Sequence, residues 1–334
     1  MAQTQLLKGL SQISVIEETS QDTLLAPTAA SIVLVSDDVT VGTEGGPLAY
    51  EALRGDYMRM ARAGGPQFGT VSFSVPMTGG AAAGTAPGYG EALKACGMLG
   101  TNTAVTSEEY TPSSVFDGAS GNPGPSYSVH WLNNGSRYSI IGAFGKVSMT
   151  AEIDSTPMLK FDFQGAYSPY ANDALEDASA VYKASIAPAF LGTTVVMNFG
   201  GAYSVLGCTA IDWDMGSTLA MIKDSGAAYG YIGARIIGHK PSGTITLEKR
   251  LQDVANFDVQ AIAAAGTVGT IATGTIGGTA GSKWAFDVRA CTLGPPQEGD
   301  SDGIMQWTIP WEAHNLPTAT EATVATAAVC LTIT

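Results

Sequence analysis

The chain is short of charge. Asp, Glu, Lys and Arg make up 14% of its 334 residues, against roughly 25% in an average globular protein. A disordered, solvated chain needs high charge and few apolar groups, and 45% hydrophobic residues exclude that class. Basic residues are the scarcest, 16 against 30 acidic ones, for a formal net charge of −14. Binding to phosphate backbones rests on Lys and Arg displacing counterions, so a nucleic-acid-binding function is not expected. Cysteine is rare: Cys96, Cys208, Cys291 and Cys330 lie far apart, with no C-x-x-C pair. Spacing leaves two disulfides open, and buried free thiols in a reducing compartment are the simpler reading. No stretch approaches the roughly 18 uninterrupted apolar residues of a membrane span. Met1 to Glu18 alternates polar and apolar residues and lacks the apolar core of a signal peptide. The expectation is a protein made and kept soluble, without a membrane partner.

Recognisable chemistry is equally scarce. The three histidines, His130, His239 and His314, form no H-E-x-x-H and no pair at helical spacing, so no metal ligand is nominated. A G-x-S-x-G elbow is absent, which leaves a hydrolase of that type without a nucleophile. The Gly-rich run from Gly274 to Lys283 has Ser before Lys and a strand after it. A phosphate loop needs Gly-Lys-Ser/Thr opening a helix, so this run reads as a flexible β connection. Glu298 to Gly303 has the acidic spacing of a calcium-loop fragment without the later bidentate Glu, and reads as a solvated turn. Asp212 and Asp214 share a strand face, as alternate positions on a wet strand routinely do. No catalytic residue and no cofactor are expected, and the chain reads as a building block rather than an enzyme.

What is present in excess is glycine, 41 residues, together with Thr, Ser and Val in period-two alternation. Few Lys and Glu with many turn formers point to a mainly β fold. Strands are expected at Ser31–Val41, Thr70–Met77, Ser126–Leu132, Arg137–Phe144, Lys146–Asp154 and Met158–Gln164. Asn133-Asn134-Gly135 is a turn sequence tolerant of positive φ. Two segments have helical spacing, Gly88–Met98 and Asp253–Ala265, closed by Gly97 and Gly266. Each helix follows a strand (Thr70–Met77, then Thr244–Leu251) and precedes further strands. In the second half these are Thr267–Thr275, Lys283–Thr292 and, after a Gly294-Pro295-Pro296 turn, Ile304–Trp311. Cys208–Ser217 would match Ser31–Val41. The order of elements reads as a tandem duplication. The domains are then an N-terminal extension (1–30), a first domain (31–167), a linker (168–190) and a second domain ending in a C-terminal strand (191–334).

Several segments then carry a family likeness, running from about Ser31 to His314. They include Gly84-Thr85-Ala86-Pro87-Gly88-Tyr89-Gly90, Glu109-Tyr110-Thr111-Pro112 and Gly142-Ala143-Phe144-Gly145-Lys146-Val147-Ser148. Pro157-Met158-Leu159-Lys160-Phe161-Asp162-Phe163-Gln164-Gly165, Pro241-Ser242-Gly243-Thr244 and Gly299-Asp300-Ser301-Asp302-Gly303 belong to the same set. In this order and spacing the chain resembles the tail tube (major tail) proteins of long, non-contractile-tailed bacteriophages. The resemblance implies two tandem β-sandwich or barrel domains, each with one short helix, whose inner strands join those of neighbours into a shared ring barrel. Rings would stack into a conduit for DNA ejection. Family rings have six single-domain subunits, so a two-domain chain favours a trimeric, pseudo-hexameric ring, with a hexamer as runner-up. Tape measure, tail terminator and distal tail proteins are the implied partners. Genomic DNA would pass without specific binding, in a virion tail whose subunits are made in the host cytoplasm.

The lumen-facing candidates are Thr70, Ser72, Ser74, Glu152, Asp154, Asp162 and Gln164, then Thr244, Thr246, Glu248, Gln306 and Thr308. Small polar and acidic groups offer phosphate little to hold. Lys146, Lys160 and Arg250 are exceptions, expected to pair with neighbouring carboxylates. The long stretch Gly42–Gln67 would reach the adjacent ring through Arg54, Arg59 and Arg62. The alternative is a secreted or surface β-sandwich module that binds carbohydrate or adheres. Such a module needs a signal sequence and an exposed aromatic platform, whereas Trp131, Trp213, Trp284, Trp307 and Trp311 are scattered over strands.

Overall fold

Alternating strands with one apolar face must bury that face, and here they do so by pairing into one large antiparallel sheet system. The computed structural model describes residues 11–36, 38–48, 63–80, 82–119, 121–177, 187–191, 194–200, 202–205, 207–249, 258–277, 281–314 and 328–334. The first half contains β1 (Ser11–Glu17), β2 (Ile32–Val33), β3 (Thr40–Gly45) and β4 (Gln67–Pro76). Helix α1 (Gly90–Ala95) follows, then β5 (Met98–Thr103), β6 (Ser107–Pro112), β7 (Tyr127–Asn133), β8 (Ser136–Glu152) and β9 (Met158–Ala171). The second half contains β10 (Val195–Asn198), β11 (Ala202–Val205), β12 (Cys208–Asp214), β13 (Thr218–Lys223), β14 (Tyr231–Gly238) and β15 (Ser242–Glu248). After helix α2 (Val259–Ala265) come β16 (Gly269–Thr273), β17 (Trp284–Leu293), β18 (Gln297–Ser301), β19 (Ile304–Ala313) and β20 (Val329–Ile333).

Eight strands pair side by side in the order β3-β4-β9-β8-β12-β15-β19-β18. The first four come from the first half of the chain and the last four from the second. Within each quartet the chain fills the positions in the same sequence: first, second, fourth, third. Each helix follows the second strand of its quartet. The remaining strands extend this system: β8 continues through β7 and β1 to β2. A further run joins β5, β6, β20, β17, β16, β10 and β11. Strands β13 and β14 form a separate hairpin.

The apolar face of the eight-strand sheet is the core. Phe73, Phe161, Phe163, Val147, Met149, Ile211, Trp213, Ile245, Ile309 and Trp311 are all buried there. Phe286 of β17 packs against both Trp213 and Trp311, with ring centroids 5.5 and 6.2 Å away. Each such side chain contributes about 1.5–3 kcal/mol through removal from water.

The fold departs from the sequence expectations at several points. Ser31–Val41 is not one strand: a 3-10 turn at Ala29–Ser31 leads into the short β2, and β3 begins only at Thr40. Arg137–Phe144 and Lys146–Asp154 are one strand, β8, with its register shifted between Ile141 and Phe144 where Gly142 takes φ 59°. A bulge with glycine in the left-handed region bends a strand without ending it. Asp154 falls in the turn after β8 rather than on the strand. Strand β9 runs on to Ala171, into the segment read as linker. Helix α2 begins at Val259, capped by the Asp258 side chain on Ala261 N (3.0 Å), and ends at Gly266 in the left-handed conformation. Residues 253–257 of the expected helix lie outside the described residues, as do 1–10 of the extension and 178–186 of the linker. Glu298–Gly303 is largely strand: β18 pairs with β19, and only the Asp302-Gly303 end turns.

Candidate functional site

Every second residue of the eight-strand sheet points away from the core, and these residues line up in cross-strand rows. One row reads Thr40, Ser72, Asp162, Lys146. The next reads Ser74, Lys160, Ser148, Asp214, Ser242, Glu312, and so passes from the first half into the second. A third contains Met158, Thr150, Asp212, Thr244 and Pro310, and a fourth Glu152, Ala210, Thr246, Thr308 and Gln297. Glu248 faces Gln306, and Gln164 faces Thr70. Of the lumen-facing candidates, all except Asp154 therefore share one polar face. Arg54, Arg59, Arg62 and Arg250 lie outside the described residues.

Side-chain hydrogen bonds run along the rows. Ser72 Oγ donates to Asp162 Oδ1 (2.5 Å), and Thr244 Oγ1 donates to Asp212 Oδ2 (3.1 Å). Asp38 accepts from the hydroxyls of Ser36 and Ser74 and from Ser74 N (3.2 Å). Burial opposes ionisation of Asp38, but these bonds outweigh it and hold its carboxyl below the usual range. Among the described residues the ionisable groups on the face are Lys146 and Lys160 against Glu44, Glu152, Asp162, Asp212, Asp214, Glu248 and Glu312. Lys146 stands directly opposite Asp162, whereas Lys160 stands between Ser74 and Ser148 rather than opposite a carboxylate. The face is thus acidic. It carries a shallow depression of about 330 Å³ lined by Glu44, Thr70, Ser72, Lys146, Asp162 and Gln164.

Two features of this face have no signal in residue type or spacing. The first is the β8–β12 pairing, which joins the two halves edge to edge. The second is the hairpin β13–β14, which belongs to the second half yet packs on the first. Tyr231 meets Phe68 and Tyr229 meets Tyr167 edge-on, at centroid separations of 5.5 and 5.0 Å. Arg235 lies over the Phe144 ring and 3.9 Å from Asp22. Burial raises the Asp22 carboxyl, opposed by Arg235 and reinforced by Glu18. Glu18 itself is buried and accepts from the Ser126 and Ser128 hydroxyls and from Gly142 N (3.1 Å), at the bulge of β8. An uncompensated buried carboxylate is costly, so this set of donors holds the N-terminal segment against β7 and β8.

Nucleophiles are not assembled on the face. His130 is fully buried, its Nδ1 2.8 Å from Ser139 Oγ, and His239 and His314 bond Ser217 and Thr292 (3.1 and 2.7 Å). All four cysteines are unpaired thiols. Burial pushes Cys208 and Cys291 up to about 12 and Cys330 to about 11, which keeps them protonated at neutral pH. Among the described residues no cluster of His, Cys, Asp and Glu can hold a metal ion, and no helix is long and apolar enough to cross a membrane.

No protein-family model matches the chain, and no curated protein matches it. Fold and site together define a mainly β protein organised on one large antiparallel sheet with an acidic outer face.

Proposed function

We propose that this chain is a structural subunit of a tail tube of the kind built by long, non-contractile-tailed bacteriophages. Copies would join through their sheets into rings, and the rings would stack into a conduit for DNA. The observation that carries this reading is the eight-strand face. One polar surface spans both halves of the chain and ends, on each side, in a strand that among the described residues is paired along only one edge.

An open sheet edge templates pairing with another chain, and closing strands from several copies into a barrel removes every edge. Three copies favour closure on the argument that each chain supplies two quartets, which gives a trimeric ring with pseudo-sixfold symmetry. With strands about 4.8 Å apart and tilted by about 40°, such a barrel of ~24 strands has a backbone diameter of roughly 50 Å. The polar face would then line the lumen, where its carboxylates repel phosphate and its two lysines are too sparse to anchor it. Head-to-tail contacts close the ring, and axial contacts extend it as a filament. Tape measure, tail terminator and distal tail proteins are the partners this role requires, and the virion tail its location. The proposal contains no chemical step, so it assigns no enzymatic activity.

An aromatic platform for a carbohydrate- or surface-binding module finds no support in the same surface. Trp213, Trp284, Trp307 and Trp311 are buried, and Trp131 is half-buried. Negative-stain electron microscopy of the purified protein is the direct test. Rings or tubes with an open axial channel are expected, and monodisperse particles at every concentration and salt would remove the reading.

A further inference from the structure

Resting on the assembly reading above, we infer that β18 of one copy adds antiparallel to β3 of a second copy, with Gly299 opposite Glu44 and Ser301 opposite Gly42. The chain contains its own template for this contact. The first quartet ends in β8, the second begins with β12, and those two strands pair with Ser148 opposite Asp214 and Thr150 opposite Asp212. Strand β18 occupies in the second quartet the place that β8 occupies in the first. Strand β3 likewise holds the place of β12.

The register follows from superposing the quartets on their second strands. Val71 and Phe73 of β4 match Ile245 and Leu247 of β15, all four buried, which sets Thr70 against Thr244. Thr70 pairs with Gly42 on one side and Thr244 with Asp212. Gly42 therefore matches Asp212, and Glu44 matches Asp214. On the other side Ser72 leads through Asp162 to Lys146, and Thr246 through Thr308 to Gln297. Ser148 then matches Gly299, and Thr150 matches Ser301. Substituting these matches into the β8–β12 pairing yields the register stated.

Both edges are open to such a partner. Among the described residues β3 pairs only with β4, and β18 only with β19. Every residue of β18 is exposed, and in β3 Thr40, Thr43, Glu44 and Gly45 are exposed while Val41 and Gly42 are half-buried. Neither strand contains proline, which would remove a ladder donor. A Cβ at Gly299 meets nothing within 4 Å, so the backbone of a neighbour can approach there. Because side chains alternate between faces, this register also continues the polar face from one copy to the next without a break.

The test is a cross-link in the full chain. Glu44→Cys and Gly299→Cys are combined, the protein is oxidised with a copper–phenanthroline catalyst, and products are separated without reductant. Covalent multimers are expected at least tenfold above either single variant. They should also exceed, by a similar factor, a Glu44→Cys/Gln297→Cys pair that is shifted by two residues on the same face. Equal or greater cross-linking at the shifted pair overturns the register. Tubes in the microscope without cross-links at any β3–β18 pair overturn the edge assignment and leave the tube reading standing. Cross-linked multimers that never form rings do the reverse. Should the double variant fold poorly, hydrogen exchange on the unmodified chain decides: amides of 40–45 and 297–301 should slow at least tenfold on assembly, and unchanged exchange in both strands rejects the contact.

Discussion

Thr150 and Asp212 stand opposite one another across the boundary between the two halves of the chain, 62 positions apart in sequence and neighbours in one sheet. Asp212 in turn accepts from Thr244 on its other side, so the boundary row is continuous in hydrogen bonding as well as in register. The two halves thus meet as two neighbouring strands of one sheet, and the core beneath them is shared.

That shared core gives the first prediction. Trp213 is 1% exposed, lies opposite Met149 and packs on Phe286. Trp213→Ala should destabilise the chain by about 3–5 kcal/mol, because removing a buried aromatic loses its transfer energy and leaves a cavity. Urea unfolding followed by tryptophan-independent circular dichroism measures the loss; a change below about 1 kcal/mol would contradict the packing described.

Gly142 supplies a second. Its φ of 59° and the approach of Asp22, with Ile232 O at 2.8 Å and Gly233 Cα at 2.9 Å from an added Cβ, leave no room for a side chain. Gly142→Ala should cost more than Gly135→Ala, whose φ of 99° carries strain but whose Cβ would meet nothing within 4 Å. Strain alone is worth about 1–3 kcal/mol. The two variants are compared by thermal unfolding, and an equal drop in Tm would show that the hairpin does not pack at the bulge.

The pH dependence of stability contains a contribution from His130. Burial, with Arg137 adding to it, pushes this imidazole down to about 4, against an unfolded value of about 6.5. Its neutral form is the one folded into the core, so the contribution is complete above pH ~6.5 and is lost as pH falls towards ~4. The full span corresponds to about 3 kcal/mol. The stability difference between the parent chain and His130→Asn should shrink by that order between pH 7 and pH 4. A difference that stays constant across the range would place the ring in water.

Charge on the outer face is the fourth. Glu152 and Asp214 are exposed, so reversing both to Arg should change stability by less than about 1 kcal/mol. Tubes assembled from the variant should retain duplex DNA at low salt and release it as salt rises, while the parent tubes retain none. Equal retention by both would mean that this face is not what DNA meets.

Much of the local structure is readable in the residues themselves. Thr70–Met77 and Met158–Gln164 alternate cleanly because one side is packed and the other wet, and both are strands with those faces. Asn134 and Gly135 both take positive φ in the β7–β8 turn, as the Asn-Asn-Gly sequence implies. Gly266 closes α2 in the left-handed conformation for the same reason of missing steric penalty. Where both faces are packed the signal disappears. In β1, Gln12, Ile13, Ser14 and Val15 are all buried, between β7 and β2, and the segment reads only as part of an N-terminal extension. β18 has the opposite problem, being exposed throughout and rich in Gly and Asp, and it reads as a turn.

The sequence by itself determined which residues face the core and which face away, because period-two alternation is a local property of each strand. It also determined the acidic, lysine-poor character of the outer face, which is a matter of composition. Which strand lies beside which was decided only in three dimensions. Nothing in Lys146–Asp154 specifies Cys208–Asp214 as its neighbour, and nothing in the apolar tail specifies that β20 bridges β17 and β6. Backbone hydrogen bonds are the same for every residue type, so strand partners are chosen by the fit of the whole buried face, and that fit exists only once both halves are folded together.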